Sequence, residues 1–209
     1  MNSSQPTLRQ GRPAFFAEAG VLIYESSHEL LDFLLSDRGI AERVLAKLYR
    51  KSVGHFSFRF STAAVVEDRM VGLELGYDRD QLGRQAAIGG LLMLLNSPVS
   101  LWWHLIAKAS RVIDGYVPKP SEGAYYINNI AVSSARRGTG IGMLLLANAI
   151  DRARRTGYHR VELDVTSVNE GAIGFYRKHG FVAVSQSGGP GLQERFGLPP
   201  LIRMTHRLS

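Results

Sequence analysis

Ile130-Ala131-Val132-Ser133-Ser134-Ala135-Arg136-Arg137-Gly138-Thr139-Gly140-Ile141-Gly142, running on into Met143-Leu144-Leu145-Leu146-Ala147, reads as a strand, a short loop and a helix. Tyr125, Ile127, Ile130 and Val132 supply the aromatic and β-branched content of the strand. Gly142, Leu145, Leu146, Ala149, Ile150 and Ala153 recur at the spacing of one helical face, with Asn148, Asp151, Arg152 and Arg155 on the other. The loop therefore delivers the chain straight into a helix N-terminus, where unpaired N–H groups and the positive end of the helix dipole gather. Gly138, Gly140 and Gly142 let an anion approach the backbone closely, and Arg136 and Arg137 stand beside it. Such a loop suits phosphate. The same glycines also fit a plain flexible connector, so the loop alone does not decide. A P-loop would end in Gly-Lys-Ser/Thr where this chain has Ile141-Gly142-Met143. A dinucleotide fingerprint would need glycine where Met143 or Leu145 stands.

A second stretch adds to the first: Asn169-Glu170-Gly171-Ala172-Ile173-Gly174-Phe175-Tyr176-Arg177-Lys178-His179-Gly180-Phe181. Asn169 suits a helix N-cap and Gly180 a left-handed C-terminal stop, with Ala172, Ile173 and Tyr176 on one face. Together the two stretches resemble the GNAT superfamily of N-acetyltransferases. Arg137-x-x-Gly140-x-Gly142 is similar to that family's pyrophosphate loop. Asn169-x-x-Ala172-x-x-Phe175-Tyr176-x-x-x-Gly180-Phe181 is similar to its cofactor-side helix and final hairpin. The sharp likeness covers Tyr125 to Ser187, and a looser pattern of elements covers nearly the whole chain.

The resemblance implies an α/β (α+β) fold with a central mixed, mostly antiparallel sheet flanked by helices. It also implies acetyl-CoA as co-substrate, transferring its acetyl group to a primary amine. The site residues it implies are the strand edge Ile130, Ala131 and Val132, the loop Arg137, Gly138, Thr139, Gly140, Ile141 and Gly142, and the helix residues Asn169, Ala172, Phe175 and Tyr176. Asn169 would hold the pantetheine arm. Tyr176 would protonate the thiolate leaving group or pack against the cofactor. Backbone N–H near Val132 would polarise the thioester carbonyl.

Composition sets outer bounds. At 209 residues, against roughly 150 per domain, the expectation is one domain over 1–209, with its core at 6–208. The absence of cysteine removes disulfides, thiol nucleophiles and cysteine–metal sites, and suits a cytoplasmic protein. No apolar run approaches the roughly 20 residues of a membrane span, and the N-terminus lacks the layout of a signal peptide. The net charge of +7 fits a phosphate-rich ligand, a solvated basic surface or nucleic acid. The six histidines show no metal-ligand spacing, so no metal is expected.

Taken in order, Pro6–Gln10 reads as a short strand. A helix starts at Pro13, breaks near Ser26-Ser27-His28-Glu29, continues through Leu30–Leu35, and breaks again at Asp37-Arg38-Gly39 before Ile40–Lys51. Phe56, Phe58 and Phe60 alternate with polar residues and predict a strand that continues through Ala63–Val66. Glu67-Asp68 turns it into a partner carrying Val71, Leu73, Leu75 and Tyr77. Residues 79–121 then intervene before the central strand. The apolar run 86–95 and a pattern of Val99, Trp102, Trp103, Ile106 and Ile113 predict two helices that cover the acceptor cleft, form an interface between two copies, or add core packing. His159–Val165, Phe181–Gln186 and Leu201–Leu208 predict three further strands, with Ser187–Pro200 as a loop.

An attacking amine must be neutral, and a lysine-like amine has a pKa of about 10.4, so a base is needed. Many GNAT enzymes carry an acid just ahead of the Ile-Ala-Val triplet, where this chain has Asn128 and Asn129. Glu25, Glu29, Glu122 and Asp164 are the remaining carboxylate candidates. The acceptor, a small-molecule or peptide amine, is not named by the sequence; neither nucleic acid nor membrane is an expected partner. Two other readings stand beside acetyl transfer: a non-catalytic acyl-CoA sensor, and a basic nucleic-acid-binding module.

Overall fold

The computed structural model describes residues 5–108 and 114–208. Its strands are β1 (Thr7–Gln10), β2 (Ser61–Val66), β3 (Arg69–Asp78), β4 (Ala124–Val132), β5 (Arg160–Thr166), β6 (Val182–Ser187) and β7 (Leu201–Arg207). They form one sheet in the order β1-β2-β3-β4-β5-β7-β6, in which only β4 and β5 run parallel. The helices are α1 (Phe16–Ser26), α2 (His28–Leu35), α3 (Arg38–Tyr49), α4 (Arg79–Asn96), α5 (Trp102–Lys108), the single turn α6 (Asp114–Tyr116), α7 (Ile141–Arg155), α8 (Glu170–Lys178) and α9 (Pro190–Phe196). This is the expected α/β fold with a mixed sheet and flanking helices.

The core has two main parts, divided by the sheet. On one side Ala19 and Ile23 of α1 and Leu45 of α3 pack on Leu73, Leu75 and Tyr77 of β3. On the other, Leu146, Ala149 and Ala153 of α7 pack on Tyr125 and Ile127 of β4 and on Val161 and Leu163 of β5. The helical face read from the sequence is thus the buried face. Each large aliphatic side chain buried there contributes about 1.5–3 kcal/mol. The β2–β3 hairpin turns on Glu67 and Asp68, both at positive φ (50° and 57°), which matches the right-handed twist of the strands it joins.

Four expectations are corrected. The alternating phenylalanines do not form a strand: Phe58–Phe60 is a turn of 3₁₀ helix, Ser57 Oγ accepts from Arg59 N–H at 3.2 Å, and β2 begins only at Ser61. The helix expected over 40–51 begins at Arg38, because Asp37 caps it by accepting from Ile40 N–H at 2.7 Å. The apolar run 86–95 is the second half of a longer helix, α4, which Asp78 caps through Gln81 N–H at 2.6 Å. Ser187–Pro200 is not all loop: Pro190 opens α9 and Gly197 closes it in the left-handed conformation. The pattern expected over 99–113 becomes a 3₁₀ turn and α5; Ile113 lies outside the described residues.

Candidate active site

β4 and β5 pair only from Ala124↔Arg160 to Ile127↔Leu163. Beyond that point β4 stays with β3, while Asp164, Val165 and Thr166 stay with β7. A gap therefore opens between two adjacent parallel strands. A β-bulge marks its start: Leu75 faces Asn129 and Gly76 faces Ile127, leaving Asn128 as the extra residue. The inner end of the gap is held by Tyr126 Oη, which donates to Asp164 Oδ2 at 2.9 Å, and by Arg203, which donates to both oxygens of Asp164 and to Glu162.

Ser133 N–H donates across to Val71 O at 2.9 Å, toward β3. Alternation along an antiparallel strand then turns Val132 and Ile130 the other way, so their backbone groups face the gap. Ala131, by the same alternation, is committed to β3. The expected strand edge thus has two open members rather than three.

The strand edge leads into the glycine loop. Gly138 and Gly140 have φ of 77° and 85°, the region that favours glycine, and a Cβ on either would meet nothing within 4 Å. The backbone there lies open to a ligand. Gly140 is the N-cap of α7 and no side chain caps that end, so the first N–H groups of the helix, from Ile141 and Gly142, remain available. Thr139 Oγ1 donates to Arg136 O at 2.6 Å and braces the turn. Arg137 is not free: its Nε donates to Val132 O at 3.2 Å and its Nη2 to Glu25 Oε2 at 2.8 Å. A phosphate placed here would compete with Glu25 for that guanidinium.

Across the gap, Asn169 caps α8 by accepting from Ala172 N–H at 3.0 Å. One turn and two turns on, Ala172, Phe175 and Tyr176 line the same cleft. Tyr176 is buried against Phe175 and Phe181, and burial pushes its phenol well above the ordinary tyrosine range. Such a group stays protonated and acts as a hydrogen-bond donor.

The cleft that unites these parts has a volume of about 1860 Å³. It runs from the glycine loop past the bulge and under α4, which contributes Leu82, Ala86, Gly90 and Met93. The helical segment therefore both covers the far end of the cleft and adds core packing through Met93. Its outer side leaves Leu91 and Leu95 more than half exposed. Under α4 lies His55, whose Nδ1 is buried without a hydrogen-bond partner among the described residues; burial lowers its pKa to about 4.

Of the four carboxylates singled out in the sequence, three are committed elsewhere. Glu25 holds Arg137. Asp164 is clamped by Arg203 and Tyr126. Glu122 pairs with Arg79 at 3.2 Å and does not line the cleft. Glu29 does line it and accepts from Thr166 Oγ1 at 3.1 Å. Asn129 is buried and donates to Ser26 Oγ at 2.7 Å and Ser27 Oγ at 3.1 Å, so it fastens the α1–α2 turn to β4. Among the described residues no group of three or more His, Asp or Glu side chains is arranged to hold a metal ion.

A family model described as Acetyltransferase (GNAT) family matches residues 99–181, which include β4, the glycine loop, α7 and α8. A relative from Salmonella typhimurium, L-methionine sulfoximine/L-methionine sulfone acetyltransferase, is 28% identical over 73% of this chain and 80% of its own. Residues 99–181 thus carry a likeness to the GNAT acetyltransferase family.

Other likenesses point the same way. Streptothricin acetyltransferase of Streptomyces lavendulae is 46% identical over 55 residues, so the match spans only 29% of that protein's length. The crystal structure of an N-acetyltransferase from Staphylococcus aureus Mu50 superposes with a TM-score of 0.75 at 19% identity, over 95% of this chain and 99% of that one. That likeness concerns the fold. Two features of this candidate site are not legible in the sequence: the bulge at Asn128, and the buried Arg203 cluster that holds the end of the gap.

Proposed function

We propose that this protein transfers the acetyl group of acetyl-CoA to a primary amine by direct attack within a ternary complex. The observation that carries this reading is the continuous path from the β4–β5 gap into the uncapped, glycine-lined N-terminus of α7. A chain of that path's shape takes an extended arm along the strand edge and a diphosphate at the helix end. The residues fit such a ligand: open space beside Gly138 and Gly140, free N–H groups at Ile141 and Gly142, and Arg136 and Arg137 on the cleft wall.

Acetyl-CoA supplies an activated thioester. Ile130 and Val132 would align the arm by backbone hydrogen bonds, and Val132 would offer its N–H to the thioester oxygen as charge grows there. Asn169 and Phe175 would border the arm. Tyr176 would donate a hydrogen bond to the departing sulfur. Because its phenol is held above the ordinary range while a thiol has a pKa of about 8.5, it stabilises the thiolate more than it surrenders a proton.

The named relatives acetylate methionine sulfone and streptothricin, and small amines of this kind are the acceptors we propose. The test is thiol release from acetyl-CoA with L-methionine sulfone, streptothricin, spermidine and an alanyl peptide. Release dependent on one of these amines supports the reading. CoA binding without turnover would instead support an acyl-CoA sensor, which the amides Asn128 and Asn129 beside the gap would suit. We expect no metal requirement; turnover abolished by EDTA and restored by one divalent ion would overturn that expectation.

A further inference from the structure

A second cavity, of about 520 Å³, lies beside the main cleft, lined by Asp32, Phe33, Lys108 and Arg195 among others. The two cavities share two residues, His28 and Glu29. Glu29 thus stands in the wall between the acetyl-side cleft and a separate opening to the surface. Thr166, the last residue of β5, anchors its carboxylate at 3.1 Å on one side of the gap. On the other side Asn129 fastens Ser26 and Ser27, just before Glu29 in the chain, to β4. The α1–α2 turn is therefore pinned to both strands that form the gap, and it carries one carboxylate not spent on a guanidinium.

We propose that Glu29 is the base that takes the proton from the incoming amine, which would reach it through the second cavity. This inference rests on the acetyl-transfer reading. The ammonium gives one proton to the Glu29 carboxylate. The freed lone pair forms the C–N bond as the C–S bond breaks. The nitrogen sheds a second proton to solvent while the departing sulfur gains one. Glu29 then returns its proton to water, so one proton is released per turnover from the ammonium form.

The groups that face Glu29 are few in kind. His28 Nδ1 lies 3.5 Å away on the same helix. Tyr116 of α6 feels both Glu29 and Asp164 of β5. Asp32 of α2, Lys108 of α5 and Arg195 of α9 share the second cavity. Among the described residues neither Lys108 nor Arg195 is ion-paired to Glu29 as Arg137 is to Glu25, and the one charge partner at ion-pair distance is the imidazole of His28.

The experiment uses the full chain, acetyl-CoA and L-methionine sulfone, or whichever amine of the panel turns over. Glu29→Gln keeps the shape and removes the base. Its kcat/KM is expected to fall about 10²- to 10⁴-fold, with CoA affinity within twofold of wild type. Its rate should also climb about tenfold per pH unit toward the amine's own pKa, as free neutral amine replaces the missing base. Thr166→Val should lower the rate less and keep the wild-type pH profile. Glu122→Gln should change nothing. If Glu29→Gln fails to bind CoA and so has not folded, Glu29→Asp replaces it, with a lowered rate and a wild-type pH profile expected. Equal kcat/KM in Glu29→Gln, or a rise in amine KM with kcat and pH profile intact, overturns the assignment. A wild type that binds CoA but acetylates no amine overturns the acetyl-transfer reading, and this inference with it.

Discussion

Replacing Arg203 by methionine keeps most of the volume and removes the charge. The Arg203 side chain is 6% exposed, and the carboxylates of Glu162 and Asp164 are 2% and 6% exposed. Its guanidinium donates to Asp164 Oδ1 at 2.6 Å and Oδ2 at 2.9 Å, to Glu162 Oε2 at 3.0 Å, and to the carbonyls of Pro118 (2.6 Å) and Lys119 (3.3 Å). The substitution strands two buried carboxylates and two carbonyls. Breaking a buried pair from one side costs about 3–5 kcal/mol, mostly the desolvation of the charge left behind. With an unfolding entropy of about 2.1 cal/mol/K per residue, 209 residues give about 0.44 kcal/mol/K. The melting midpoint should therefore fall by about 7–11 °C, read by calorimetry or circular dichroism. Adding Glu162→Gln and Asp164→Asn to the same chain removes the stranded charges and should recover part of that loss. A drop below about 2 °C, or a triple variant no more stable than the single one, would refute this account of the cluster.

Gly140→Asp puts a side chain at φ 85° and a negative charge at the uncapped end of α7, so CoA affinity should fall at least tenfold by calorimetry; unchanged affinity in a folded variant counts against this loop as the site. Tyr176→Phe removes one hydrogen bond to a developing anion. Turnover should fall about 10- to 150-fold with CoA affinity unmoved, and wild-type turnover would assign the ring to packing alone. His55 links pH to stability. Burial holds its folded pKa at about 4, below the ordinary histidine value of 6.5, so the unfolded chain binds the proton first as pH drops. The contribution is fully present above pH 6.5 and is lost on acidification through the window down to 4, about 2 kcal/mol by pH 5. Denaturant titrations at pH 7 and pH 5 should show this loss, and His55→Leu should flatten it.

Much of the candidate site can be read in the sequence because its parts are local. The glycine loop and the α8 motif are each one continuous stretch whose residue types fix a turn, a cap or a helix start. What was missed is long-range. Arg203 alternates with hydrophobic residues like any outward-facing strand residue, and only its pairing opposite Asp164 shows that it points into a buried layer. Arg152 reads as part of the polar face of α7, yet it donates to Glu74 at 2.6 Å and to Thr62 at 2.7 Å. Phe58 and Phe60 mimic a strand by composition, while Ser57 bends the chain. Glu29 could be named as a carboxylate but not chosen over Glu25 or Asp164, because the choice depends on which acids are already held by arginine.

The bulge at Asn128 is a phase slip. Before it the odd-numbered residues of β4, Tyr125 and Ile127, face α7; after it the even-numbered ones, Ile130 and Val132, do. The spacing of those four residues contains a step of three where a regular strand has two. Deleting Asn128 would therefore restore a regular period of two: Asn129 would still face the serines of the α1–α2 turn and Ile130 would still face α7. The interior would stay correctly sorted, and what the strand would lose is the local bend and break in its ladder. One extra residue lets the first half of the strand serve as ordinary sheet while the second half is free to serve as a ligand's neighbour.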